Sequence, residues 1–374
     1  MSFITKHKPI DKWLLTSFLF LMIPGIFVFV SASFGILAKN NNQFNSMTFN
    51  HLFFGLFLGI IACIIFSKIE HKILRKYSFY IFLLSLLATC LVFVPGIGMT
   101  LKGATRWISV FGTSVQPVEF LKIGFLVYWS AWLAFIKDKI IFFKYGALPF
   151  IIIMAIVGIV LLLQPDFDAF LILGITGMAM FIVAGARWKH IGAMIILALI
   201  VSSAFLFTND YAMQRVKTFF SKTLDSQNSG YQISQSTIAI GSGQLFGRGY
   251  GQGIQKFKFL PETVSDSIFA VIGEEAGFVG SLAVIIFFLF FMYTGIRVSR
   301  ESGDVFGGLL SFGIVILILT QSFLNIGSML GVVPLAGTPL VFFSHGGTAM
   351  LSSLVMIGIL FSISRSKRVG QRVE

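Results

Sequence analysis

Long apolar runs alternate with short polar punctuation along the chain, on a length scale that selects membrane-spanning helices. A helix needs about 20 consecutive apolar residues to cross a bilayer, and ten stretches approach or exceed that length: 13–37, 51–67, 77–98, 119–136, 146–164, 167–185, 191–208, 267–295, 306–331 and 341–364. Two joints, Gln164-Pro165-Asp166 and Ala186 to His190, are tight enough to admit one long helix in place of two. Pro165 and the flanking charges favour a break. The pattern predicts an all-α polytopic membrane protein of about ten transmembrane helices, a single transmembrane domain over 1–374. A large extracytoplasmic loop, 209–265, joins the seventh and eighth spans. No cleavable signal peptide is expected, because the first span follows Lys6, Lys8 and Lys12, is long, and leads into no small-residue cleavage site.

Composition agrees with the pattern. Hydrophobic residues make up 56% of the 374, with 44 phenylalanines, and only 11% are charged, against about 25% in a soluble domain. That excludes a disordered chain, a nucleic-acid-binding domain and a disulfide scaffold. Cys63 and Cys90 both sit in apolar runs, as small core residues do. The net charge of +13 is therefore a matter of topology. With a cytoplasmic N-terminus, 18 of the 28 basic residues fall in inside segments, among them Lys68, Lys72, Arg75 and Lys76, then Arg297 and Arg300. The short outside loops hold only Lys39, Lys102 and Arg106. Both termini are thus expected in the cytoplasm.

The acids carry the chemistry. Nine of the 15 lie on the outer side or within spans: Glu119, Asp166, Asp168, Asp210, Asp225, Glu262, Asp266, Glu274 and Glu275. An ionisable group at membrane depth costs at least roughly 2.5–3.5 kcal/mol, so it persists where it pairs or lines a polar cavity. For any one of them the plain alternative is an interhelical ion pair. Several at one side point to a site. Glu119 and Lys122, three apart, share a helix face and can pair, and a lysine so held is an anchor for phosphate. Arg106 lies in the preceding outer loop beside Trp107, which suits the membrane interface.

Asp266 follows Pro261 and Ser265 at a helix entry, where an acid also complements the helix dipole. Positions 266, 270, 273 and 277 fall on one face with Ala270, Gly273 and Gly277, a small-residue stripe for close packing. That puts Asp266 at the outer rim, a place for a catalytic base, with Glu274 and Glu275 about two turns deeper. The loop before it holds six glycines between 241 and 253. Its 231–240 part has the pattern of a short helix lying along the interface. Arg248, Lys256 and Lys258 add positive charge, a weak signal for an anion. The five histidines show no metal-ligand spacing. His345, before Gly346-Gly347, reads as a helix-start residue rather than a ligand.

Taken in order, these motifs resemble the SEDS (shape, elongation, division, sporulation) family of the FtsW/RodA type. They are Gly103-Ala-Thr-Arg-Trp-Ile108, Gln116-Pro-Val-Glu-Phe-Leu-Lys122 and Leu163-Gln-Pro-Asp166, then Gly230-Tyr-Gln-Ile-Ser-Gln-Ser236 and Ala239-Ile-Gly-Ser-Gly243. Gln255-Lys-Phe-Lys-Phe-Leu-Pro-Glu262, Phe269-Ala-Val-Ile-Gly-Glu-Glu275, Asn325-Ile-Gly327 and Ser344-His-Gly-Gly347 complete the series. The Gln-Lys-Phe-x-x-Leu-Pro-Glu form is closer to the division branch than to the elongation branch. Four departures stand out. Val264-Ser265-Asp266-Ser267 replaces the usual His-Thr-Asp-Phe, His345 a tyrosine, and Phe167-Asp168 a Leu-Gly. A Phe-x-x-Pro stretch is missing between Phe219 and Tyr231.

The resemblance implies a peptidoglycan glycosyltransferase. Such a protein polymerises lipid II at the outer face of the bacterial cytoplasmic membrane, at the division septum, beside a class B penicillin-binding transpeptidase and other divisome proteins. Carried over, Asp266 is the catalytic base, and Arg106, Lys122, Glu119, Asp166, Gln235 and Lys256 bind substrate. The pyrophosphate leaving group admits a bridging divalent cation (Mg2+ or Mn2+), with no protein ligand set visible. Three alternatives share much of the pattern: a lipid II flippase, an elongation-type polymerase and a non-catalytic scaffold. A flippase requires polar groups at mid-depth and on both sides, whereas here the acids gather in the outer half.

Overall fold

A computed structural model describes residues 9–38, 41–101, 104–110, 113–221 and 229–366. Lys6, Lys8, Lys39, Lys102, Asp225 and the basic residues after 366 lie outside them. The helices are α1 (Lys12–Leu37), α2 (Asn41–Phe49), continued by a π-helical stretch (Asn50–Phe57) into α3 (Leu58–Lys68), α4 (His71–Lys76), α5 (Ser78–Cys90) and α6 (Val118–Ile136). Then come α7 (Ala147–Leu163), α8 (Phe167–Val183), α9 (Trp188–Thr208), α10 (Asp210–Ser221), α11 (Ser229–Ser242) and α12 (Gln255–Lys258). The last three are α13 (Ile268–Glu301), α14 (Val305–Met329) and α15 (Gly347–Arg365). Among the described residues, seven apolar helices are long enough to cross a membrane, and Ser78–Phe93, Ala147–Leu163 and Phe167–Val183 are shorter apolar ones. The protein is a multi-pass helical membrane protein, and both tight joints are breaks.

Local sequence explains the helix starts. Asp11 accepts the Trp13 and Leu14 amides, Asp166 that of Ala169 and Asp304 that of Gly307, so acids cap α1, α8 and α14 where free N–H groups need a partner. Alternating passes bring the described termini to one end, where Arg297 pairs with Asp11 at 2.5 Å and His71 with Asp304 at 2.6 Å. The described residues of 98–115 and 209–267, and the 330–346 loop, lie at the other end.

Small residues set the packing. A β-carbon on Gly59 would fall 2.5 Å from Leu354 Cδ1, and one on Gly358 would fall 2.5 Å from the Cys63 carbonyl. The α3–α15 pair can therefore approach only as glycine permits.

The all-α expectation needs one amendment. Residues 98–115 form a small antiparallel sheet, β1 (Gly98–Leu101), β2 (Ala104–Val110) and β3 (Thr113–Val115), in the order β1-β2-β3. The β-branched and aromatic run Thr105-Arg106-Trp107-Ile108-Ser109-Val110 favours it. Two further expectations change. The 231–240 helix does not simply lie along the interface, because α11 buries Ser236 and Ala239 and sets Ile240 against Gly273. The small-residue face does not run unbroken from 266 to 277: Asp266 precedes the helix, and Gly277 (φ 66°, ψ −161°) splits α13.

That split is where the glycine-rich loop attaches. The Phe278 and Val279 amides donate to Gln244 and Leu245 carbonyls, while the Arg248 and Gly249 amides donate to the carbonyls of Glu274 and Glu275. A positive φ at Gly277 and at Gly247 (φ 79°) makes this exchange possible without a Cβ clash. Side chains complete it. Glu274 accepts from the Ile254 amide at 2.8 Å, Glu275 from the Gly251 amide at 3.1 Å, and Lys256 Nζ lies 2.5 Å from Glu275 and 2.9 Å from Ser31 Oγ. The loop is a clasp on α13 and α1.

Breaking a buried ion pair by deleting one partner leaves a stranded charge, at a cost of about 3–5 kcal/mol. Glu275→Ala is expected to lose that much stability in chemical denaturation of the detergent-solubilised protein. Lys258→Ala, at an exposed position, is the control and should change nothing. Native-like stability of Glu275→Ala would refute the clasp.

Candidate active site

A cavity of about 680 Å³ opens among the β2 strand, the start of α6, the 164–166 turn, α10, the 262–266 turn and the 337–349 loop. Arg106, Glu119, Lys122, Asp166 and Asp266 all line it. Two residues named from the sequence do not. Lys256 is wholly buried in the clasp, since its ammonium has to meet Glu275. Gln235 is on α11, outside the lining; Gln232 of that helix donates to Ser267 Oγ, next to Asp266, at 2.9 Å.

Each cation at the cavity is held by an acid. Lys122 Nζ is 2.7 Å from Glu119 and 2.9 Å from the Gln321 side-chain oxygen, and Ser352 donates to the second Glu119 oxygen at 3.1 Å. Both Lys122 and Glu119 are buried. Pro117 precedes α6 and Glu119 sits in its first turn, so the helix dipole favours that carboxylate. Arg106 extends from β2 to grip the Gln-Pro-Asp turn: it donates to the Gln164 carbonyl at 3.3 Å and to the Pro165 carbonyl, and lies 3.5 Å from Asp166. Burial pushes the Asp166 carboxyl above the usual carboxylate range, and the Arg106 charge works against that shift.

Asp266 is half-buried, and its position is fixed through the backbone around it. Asn325 Nδ2 donates to the Asp266 carbonyl at 2.8 Å and to the Thr338 carbonyl at 2.7 Å. Ser344 Oγ donates to the Ser265 carbonyl at 2.5 Å, and the His345 amide to the Val264 carbonyl at 2.6 Å. Ser265 Oγ in turn donates to Glu262 at 2.8 Å. The Asn325-Ile-Gly and Ser344-His-Gly-Gly motifs are therefore fasteners of the Asp266 turn. The departures at 264 and 345 leave them intact because they act through main-chain atoms.

Arg215 is the residue the sequence did not single out. It projects from α10 into the cavity wall and lies 3.4 Å from Asp168 Oδ2 and 3.2 Å from the Leu335 carbonyl. The Gly337 amide donates to the same Asp168 oxygen at 3.0 Å. A β-carbon on Gly337 would have three nearest neighbours: Arg215 Nη2 at 3.6 Å, Asp168 Oδ2 at 3.6 Å and Asp266 Oδ2 at 3.9 Å. The available signal was an arginine on the amphipathic 210–221 stretch together with an acid at 168. No three His, Cys, Asp or Glu side chains converge as a metal site among the described residues.

The arrangement places a carboxylate on a fixed turn beside three cations in one pocket, which is what deprotonating a hydroxyl while stabilising a leaving anion requires. Comparison with known proteins covers most of the chain. The chain is 38% identical over 307 residues to the probable peptidoglycan glycosyltransferase FtsW of Geobacter metallireducens, covering 82% of each. It is 32% identical over 369 residues to stage V sporulation protein E of Bacillus subtilis, covering 97% of this chain and 99% of that one. Among solved structures, one chain of a peptidoglycan synthase complex, described as coordinating polymerization and crosslinking, superposes with TM-score 0.78 at 23% identity over 95% of this chain and 98% of that one. The rod shape determining protein RodA of Thermus thermophilus does so with TM-score 0.69 at 22% identity, over 96% and 98%. The family profile described as "Cell cycle protein", covering FtsW, RodA and SpoVE, matches residues 12–369. The chain belongs to that FtsW/RodA/SpoVE family.

Proposed function

We propose that the protein is a peptidoglycan glycosyltransferase that polymerises lipid II at the outer face of the bacterial cytoplasmic membrane during division. The observation that carries this reading is the cavity shared by Asp266 with Arg106, Lys122 and Arg215. Asp266 takes the proton of the acceptor GlcNAc 4-hydroxyl as that oxygen attacks the anomeric carbon of the donor MurNAc. The bond from that carbon to the phosphate oxygen breaks, and undecaprenyl pyrophosphate leaves with the electron pair. The cavity cations stabilise its charge, and the proton on Asp266 passes to water.

Glu119 and Asp166 hold Lys122 and Arg106 in place. No step is routed through a divalent ion. A class B penicillin-binding transpeptidase at the septum is the proposed partner, consistent with the naming of the relatives and the assembly described for the structural neighbour. Glu274 and Glu275, the buried acids a flipping route would call on, are already engaged by the 247–256 loop.

General-base catalysis contributes about 10²–10⁴-fold, and Asp266→Asn is expected to lose that much polymerisation. The assay is glycan-strand formation from purified lipid II, with and without the transpeptidase. Polymerisation at the native rate would sink the reading. Asn325→Ala removes the donor shared by the Asp266 and Thr338 carbonyls, so kcat should fall about tenfold to a hundredfold. Lipid II affinity should stay near native in that variant, and a loss confined to KM would contradict the fastening role.

A further inference from the structure

Three cations line the cavity, and they differ in how firmly they are held. The Lys122–Glu119 pair is closed in on both sides, with side-chain exposures of 3% and 4%. Arg106 is 12% exposed and bound to two carbonyls besides Asp166. Arg215 is the most accessible of the three, 18% exposed against an Asp168 that is 17% exposed, with a 3.4 Å contact to Asp168 and a 3.2 Å bond to the Leu335 carbonyl. Its helix α10 packs chiefly against α9 and α11, outside the tightly packed core. Asp168, by contrast, keeps two stabilising interactions that do not involve Arg215. The Gly337 amide donates to it at 3.0 Å, and it stands in the first turn of α8, where the helix dipole favours an anion.

We infer that Asp168 and Arg215 form a substrate-displaced latch, in which the pyrophosphate of the lipid-linked donor takes Arg215 from Asp168 and draws α10 onto the cavity. The Gly337 position, where Arg215, Asp168 and Asp266 converge within 4 Å, links the latch to the base. An anion that captures Arg215 is held beside the carboxylate that activates the acceptor. Asp168 is then a positioning residue that competes with substrate for one cation, and the two partners of a single ion pair have opposite effects on binding.

This inference rests on the glycosyltransferase reading, and its test does not use turnover. Binding of undecaprenyl pyrophosphate to the full-length protein in lipid nanodiscs is measured for the native chain, Asp168→Asn, Arg215→Ala, Arg215→Lys and the Asp168→Asn/Arg215→Ala pair. Relief of competition from a partly exposed ion pair should tighten binding by about threefold to fivefold in Asp168→Asn. Loss of a charge-assisted contact should weaken it by about tenfold or more in Arg215→Ala, with Arg215→Lys between. The double variant should bind like Arg215→Ala alone, because the carboxylate matters only through the arginine.

A purely structural pair gives another result: both single variants weaken binding together and lower thermal stability in parallel. That outcome, or an Arg215→Ala protein with native affinity, overturns the latch. If the native chain binds undecaprenyl pyrophosphate but does not polymerise lipid II, the enzyme reading fails while the latch stands. Absence of binding by the native chain overturns the latch, and the enzyme reading is then judged by polymerisation alone.

Discussion

Carboxylates enclosed by apolar helices must be satisfied where they stand, because no water reaches them and the surrounding dielectric is low. Glu274 and Glu275 impose that constraint on the outer half of this protein. Both are buried, and neither can be answered from within α13. The answer comes from residues 244–256, which supply backbone amides and the Lys256 ammonium. Once that loop is fixed, the chain from Gln255 to Ser267 has a defined start, and the turn bearing Asp266 follows from it. Asn325, Ser344 and the His345 amide then pin that turn from the other side.

The same rule sorts the charges of the cavity. Lys122, Arg106 and Arg215 each face an acid, so the pocket has cations to present without carrying an uncompensated positive field. The acids also hold the side chains in fixed directions, and preorganised charge is what stabilises a developing anion.

Much of this was legible in the sequence. Apolar run length gave the passes, and the scarcity of charge made Glu119, Lys122, Asp166, Arg106 and Asp266 conspicuous. Five of the seven residues named for the site line the cavity. What the sequence does not show has physical causes. Lys256 looked like an outer-surface cation because a sequence does not show that Glu275 lies opposite it. Gln235 lies three positions from Gln232 on α11, and a sequence does not show which of the two meets Ser267. Arg215 was overlooked because its partner Asp168 is 47 positions away. The sheet at 98–115 was hidden by an otherwise helical composition, although its β-branched run was in view.

The break at Gly277 makes α13 two rods spliced end to end. The carbonyls of Glu274 and Glu275, and the amides of Phe278 and Val279, all bond to the glycine-rich loop rather than continuing the helix across the joint. The inner rod is anchored at the far end through Arg297 and Asp11, whereas the outer stub takes its bearing from the loop. The splice thus makes the direction of the stub that follows the Asp266 turn a property of the loop's main-chain bonds rather than of helix continuity.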